Sequence, residues 1–249
     1  MLAAAGTPEI MWALLKHRPV CRISSNILAA AGSQGNNGRE LMQLLFDHEA
    51  DIQITDTVMI AALNSNRLSY RYEVDLKRLE LTERLVELLF ERNIDLEVTD
   101  AMLKAANTPN DLQVLLKRAP NMRVTEDLLL AAASKLSGHA LVKLLLDHDK
   151  TVKTHVAVLF CHLSMIDNDY TAFMTTLLEH DPELHIPSDA FADLVKLTTP
   201  FERMQLAELL LKYEKKVDFT EEVRTAIDQQ FQGYRYKDAK ALFYKLERK

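Results

Sequence analysis

Val124-Thr125-Glu126-Asp127-Leu128-Leu129-Leu130-Ala131-Ala132-Ala133 is the stretch that sets the fold. An apolar residue, a hydroxyl residue, an acidic residue, a pair of large apolar side chains and an alanine run follow one another. The same order returns at Ile23-Ser24-Ser25-Asn26-Ile27-Leu28-Ala29-Ala30-Ala31, at Ile54-Thr55-Asp56-Thr57-Val58-Met59-Ile60-Ala61-Ala62 and at Val98-Thr99-Asp100-Ala101-Met102-Leu103-Lys104-Ala105-Ala106. Weaker copies start at Thr154, Ile186 and Phe219. Starts near 23, 54, 98, 124, 154, 186 and 219 give spacings of 31, 44, 26, 30, 32 and 33 residues, the period of helical repeat arrays.

Chemistry explains the order. Ser24, Thr55, Thr99, Thr125 and Thr220 stand where a side-chain oxygen can cap the first free amides of a helix. Asp56, Asp100, Glu126 and Glu221 follow at once, where a carboxylate suits the positive end of the helix dipole. The alanine pairs beyond them allow neighbouring helices to approach closely.

Each copy has a second half. Glu40-Leu41-Met42-Gln43-Leu44-Leu45-Phe46-Asp47-His48, Arg84-Leu85-Val86-Glu87-Leu88-Leu89-Phe90-Glu91-Arg92 and Ala140-Leu141-Val142-Lys143-Leu144-Leu145-Leu146-Asp147-His148 place apolar residues at i, i+3 and i+4. Each repeat therefore reads as a helix pair, and one pair cannot bury its stripes without stacking on the next. The expectation is an all-α solenoid over 1–249, a single array of about fifteen or sixteen helices. It comprises a partial first unit at 1–22, units starting near the seven positions above, and a capping helix at about 237–249. In the partial unit, Met1 to Ala5 has lost the capping turn, whereas Thr7-Pro8-Glu9-Ile10-Met11-Trp12-Ala13-Leu14-Leu15-Lys16-His17 is an intact second helix, with Trp12 expected in the core. The missing turn suggests an array cut from a longer parent.

Gly138-His139 before Leu141-Val142-Lys143-Leu144-Leu145-Leu146 resembles the second helix of an ankyrin repeat, and Ala50-Asp51-Ile52 resembles the ankyrin loop. The Thr-acid opening followed by alanines is similar to the degenerate ankyrin-like repeats behind nucleotide-binding modules in fungal NACHT-type signalling proteins. The resemblance spans nearly the whole chain. It implies a sensing or regulatory segment that binds a partner protein or holds another domain of a longer parent chain. The Thr-Pro-Leu-His of ankyrin first helices is missing, and Glu49, Asn93 and Asp149 stand where its hairpin glycine would be. Without glycine at positive φ, the projecting β-hairpins should be short or absent.

Composition narrows the function. Acidic residues number 36 against 30 basic, and the net charge of −6 gives a phosphate backbone no general attraction. No apolar run approaches the roughly 20 residues of a membrane span. Cys21 and Cys161 are too few for a disulfide framework, so the expected compartment is the cytosol or nucleus. Nucleic acid and membrane are not expected partners.

No residue is assigned a catalytic, cofactor or metal role. His17, His48, His148 and His180 share one place after a Leu-Leu pair, where an imidazole suits the helix C-terminal carbonyls. His155, Cys161 and His162 form the one Cys/His cluster, and adjacent Cys161 and His162 leave a helix in different directions. Gly32, Gly35 and Gly38 lack the Lys-Ser or Lys-Thr of a phosphate loop and read as a turn. The 44-residue spacing marks an insertion near Ser65 to Leu81, with Tyr70, Arg71 and Tyr72 at its centre.

The leading expectation is a non-catalytic protein-interaction scaffold. Its candidate contacts are Asn26, Thr57, Ala101 and Asp127, early in first helices, together with Tyr70, Arg71 and Tyr72. The alternatives are an enzyme or small-molecule receptor with a pocket in the groove, and an array that self-assembles through its Met1 end.

Overall fold

The computed structural model describes residues 2–17, 21–49, 51–65, 85–135, 137–153, 170–213, 219–231 and 237–247. The insertion beyond Ser65, with Tyr70, Arg71 and Tyr72, lies outside them, as do the repeat start at Thr154 and the cluster of His155, Cys161 and His162. The described residues are helical, with no strand. The chain divides into two compact units, Met1–Met122 and Arg123–Lys249.

The first unit holds α1 (Pro8–His17), α2 (Ser25–Gly32), α3 (Gly38–His48), α4 (Asp56–Asn64), a helical stretch at 85–92 (α5), α6 (Asp100–Ala105) and α7 (Pro109–Arg118). First helices pack in order, α2 on α4 and α4 on α6, while α1 packs on α3 and α3 on α2. The expected first helix at Met1 to Ala5 is instead a short 3-10 turn, Leu2–Ala4, set against α2. Five residues are too few to nucleate a stable α-helix without a cap.

The second unit holds α8 (Glu126–Ala133), α9 (Gly138–His148), α10 (Tyr170–His180), α11 (Ser188–Leu197), α12 (Pro200–Lys212), α13 (Glu221–Gln230) and α14 (Lys237–Glu247). Second helices α9, α10, α12 and α14 pack in sequence, α8 pairs with α9, and α11 packs on α13. The aromatic rings of Phe191, Phe231 and Phe243 fill the space between the last helices, with centroids 6.0 Å apart for Phe191–Phe243 and 5.4 Å for Phe231–Phe243.

The capping reading holds at three of its five positions. The hydroxyls of Thr99, Thr125 and Thr220 accept from the amides of Met102, Leu128 and Val223 at 3.3–3.4 Å. Ser24 and Thr55 keep the extended N-cap backbone, but their side chains make no cap bond. Second helices carry caps of their own. Thr108 accepts from Asp111 at 3.1 Å, and Thr199 forms a reciprocal capping box with Glu202, each with proline at the first helical position.

Three recurrent contacts register the repeats. The first lies in the loops, where a polar residue at or just after a second helix returns to the segment that opens the same repeat. Glu49 Oε2 accepts from the Ile23 amide at 2.7 Å, and Asp149 Oδ2 from the Val124 amide at 3.1 Å. Asn93 donates to the Ile54 carbonyl at 3.3 Å, and His180 Nε2 donates to that of Val152 at 2.8 Å. Glu49, Asn93, Asp149 and His180 thus fasten these loops through side chains.

The second contact joins neighbouring repeats. Asn37 donates to the Gly6 carbonyl at 2.9 Å and Asn107 to the Leu63 carbonyl at 3.1 Å, satisfying acceptors at the ends of the preceding helical segments. The third is a stack of cations on rings, Arg92 over Phe46 at 5.2 Å and Arg118 over Phe90 at 4.9 Å.

Glycine is demanded at the crossing between paired helices. A Cβ on Gly138, the first residue of α9, would lie 2.5 Å from the carbonyl oxygen of Ala133, the last residue of α8. One on Gly38 would lie 3.0 Å from the Gly32 carbonyl oxygen.

Trp12 departs from its expected place. It is 55% exposed, with the Lys16 ammonium 4.8 Å from its ring centre. Met11 and Leu15 fill the α1 core face instead, because Trp12 falls outside that stripe.

Candidate interaction surface

Asn26, Thr57 and Ala101 occupy one equivalent place, the second helical residue of α2, α4 and α6. All three are exposed. Since α2, α4 and α6 pack in that order, the three form a row along the first-turn edge of the first unit. Asp127 holds the same place on α8 in the second unit and is likewise exposed.

The row adjoins the opening loops, which add the exposed carboxylates of Asp51, Asp95 and Glu97, and the first residue of α4 adds that of Asp56. Asp100 in the same first turns pairs with Lys104 at 2.8 Å, one helical turn on. Ile94, on the loop after α5, is 74% exposed. Sequence reading overlooked it because a lone apolar residue in a loop has no periodic partner to mark it.

A cleft of about 270 Å³ opens between the first two loops of this edge. Its walls are Ile23, Ser24, Ser25, Glu49, Asp51, Ile52, Gln53 and Thr55. Glu49 is committed to the Ile23 amide, and the Ser24 and Thr55 hydroxyls are the two that leave their helix amides uncapped. At this volume the cleft falls just below the roughly 300–1,000 Å³ of small-molecule pockets. Its lining is mostly polar, with Ile23 and Ile52 the two aliphatic residues.

Among the described residues, no group of three or more His, Cys, Asp or Glu could hold a metal ion. His17, His48, His148 and His180 each close a second helix, where they were expected. The perturbed carboxyls serve the fold. Asp149 is held below the ordinary carboxylate range by the Thr151 hydroxyl, the Thr151 amide and the Val124 amide. Asp228 is lowered by hydrogen bonds from Lys240 and Tyr244, which join α13 to α14.

No helix among the described residues is long and apolar enough to cross a membrane. No protein-family model, no curated protein and no solved structure matches this chain.

Proposed function

We propose that the chain is a non-catalytic repeat domain that binds a partner protein, or another domain of a longer parent chain, along the edge formed by first-helix turns and opening loops. The observation that carries this reading is the row of Asn26, Thr57 and Ala101. Three side chains in one equivalent place are exposed, while the large apolar residues two positions later, Leu28, Met59 and Leu103, are buried. Packing fixes the backbone at each position and leaves the side chain unconstrained, which is the arrangement that lets a repeat vary its recognition without altering its core. The resemblance of the sequence repeats to ankyrin-like arrays of NACHT-type proteins supports the same reading.

The experiment compares proteins captured by the intact chain with those captured by a variant carrying Asn26→Arg, Thr57→Arg and Ala101→Arg. Loss of a captured partner with unchanged helical content and unfolding temperature supports the edge as the contact. Identical partners for both proteins reject it. A separate variant with Tyr70, Arg71 and Tyr72 replaced by alanine measures the contribution of the insertion.

A further inference from the structure

We propose that α1 carries a second interface, through which two copies of this chain pair around a twofold axis. The observation is a comparison of equivalent residues. Counting back seven positions from the residue that ends or follows the six second helices α3, α5, α7, α9, α10 and α12 gives Leu41, Leu85, Leu112, Leu141, Phe173 and Leu206, all 0–1% exposed. The same count from His17 gives Ile10, which is 51% exposed.

Ile10 begins a stripe of Ile10, Ala13, Leu14 and His17 at i, i+3, i+4 and i+7, the spacing with which one helix faces another. Ile10, Ala13 and His17 are exposed and Leu14 is half-buried. In α3, Leu41 and Leu45 stand at the places of Ile10 and Leu14, and both are fully buried. The bare stripe therefore has the composition of a surface that repeats of this chain cover with another helix. Continuity with that packing specifies an amphipathic helix as the occupant.

Charge selects a second α1 as that helix. The first turn of α1 carries Glu9 and its last turn Lys16 and His17. Two α1 helices crossing antiparallel over the small Ala13 would set each acidic end beside the basic end of the other, with opposed helix dipoles. A twofold contact uses the same stripe twice and closes at two copies.

The test is the molar mass of the full chain by light scattering over a hundredfold dilution. The expected result is a fall from two copies toward the single-chain 28.4 kDa, with Ile10→Glu monomeric throughout and Phe201→Glu, which alters an exposed residue of α12, unchanged. A charge exchange guards against misfolding of the Ile10 variant. Glu9→Lys and Lys16→Glu should each weaken association, and together restore it. A constant single-chain mass, growth beyond two copies, or association that survives both Ile10→Glu and the single charge changes would overturn the proposal.

Discussion

The guanidinium of Arg203 donates from Nη2 to Oε1 of Gln230 at 2.8 Å, joining α12 to the end of α13 across 27 residues of sequence. Its Nε donates to the Val195 carbonyl of α11 at 2.7 Å, and its plane lies 5.5 Å from the Phe231 ring centre. One side chain, 5% exposed, thereby holds three helices of the second unit in register.

Arg203→Ala should therefore be among the costliest single changes in the second unit. Losing charge-assisted hydrogen bonds to the buried Val195 carbonyl and the part-buried Gln230 is expected to cost about 2–4 kcal/mol. Gln230→Ala removes one of those acceptors and should cost about 1 kcal/mol. Chemical denaturation of both variants tests the order, and a Gln230 effect equal to that of Arg203 would contradict it.

Gly138→Ala drives a methyl group into the Ala133 carbonyl, where backbone must move, and should destabilise by about 1–3 kcal/mol. Gly6→Ala meets its nearest neighbour, Gln34 Oε1, at an ordinary 3.7 Å and should stay within about 0.5 kcal/mol of the parent. Thermal unfolding of the pair compares the crowded glycine with the open one directly.

Asp149 gives the loops a pH dependence. Its folded pKa is lowered, so its contribution to stability is present above the unfolded carboxyl value of about 3.9 and is lost as pH falls through the folded one. The stability gap between the parent and Asp149→Asn should be constant near neutrality and shrink below about pH 4. Protection of the Val124 amide against hydrogen exchange, relative to the intrinsic rate at each pH, should fall over the same range, because that amide donates to this carboxylate.

Arg92 and Arg118 repeat one device, a guanidinium over the phenylalanine of the preceding second helix. Each replacement by glutamine, which keeps much of the aliphatic stem, should cost about 0.5–1 kcal/mol. Because the two stacks use separate rings, the double variant should show the sum. A strongly non-additive result would mean that the stacks share a strained element.

Local chemistry made the helices legible before their packing. Leu141, Leu144 and Leu145 lie within one helical turn, so periodicity locates their stripe, and Thr99, Thr125 and Thr220 mark helix starts because a cap bonds only three residues ahead. The ties of Glu49 to Ile23 and Asn93 to Ile54 could not be read in the same way. Their partners stand 26 and 39 residues away, and no local pattern links them. Ser24 and Thr55 show the converse, since a hydroxyl in capping position specifies the backbone without obliging the side chain to bond. Asn26, Thr57, Ala101 and Asp127 were placed by helix phase, and phase is enough to predict exposure. It carries no information about what touches them. Trp12 was misplaced because an aromatic residue amid leucines reads as core until the stripe is drawn through Met11 and Leu15.

The loop ties of Glu49, Asn93 and Asp149 each begin and end inside one repeat, which bears on how such a chain can change over generations. A duplication or deletion cut at repeat boundaries carries both halves of a tie together, so the rearranged gene inherits every loop already fastened. A cut through the middle of a repeat separates a donor from its acceptor and leaves an open loop on each side. Inheritance by whole cassettes is thus favoured by where three hydrogen bonds happen to close.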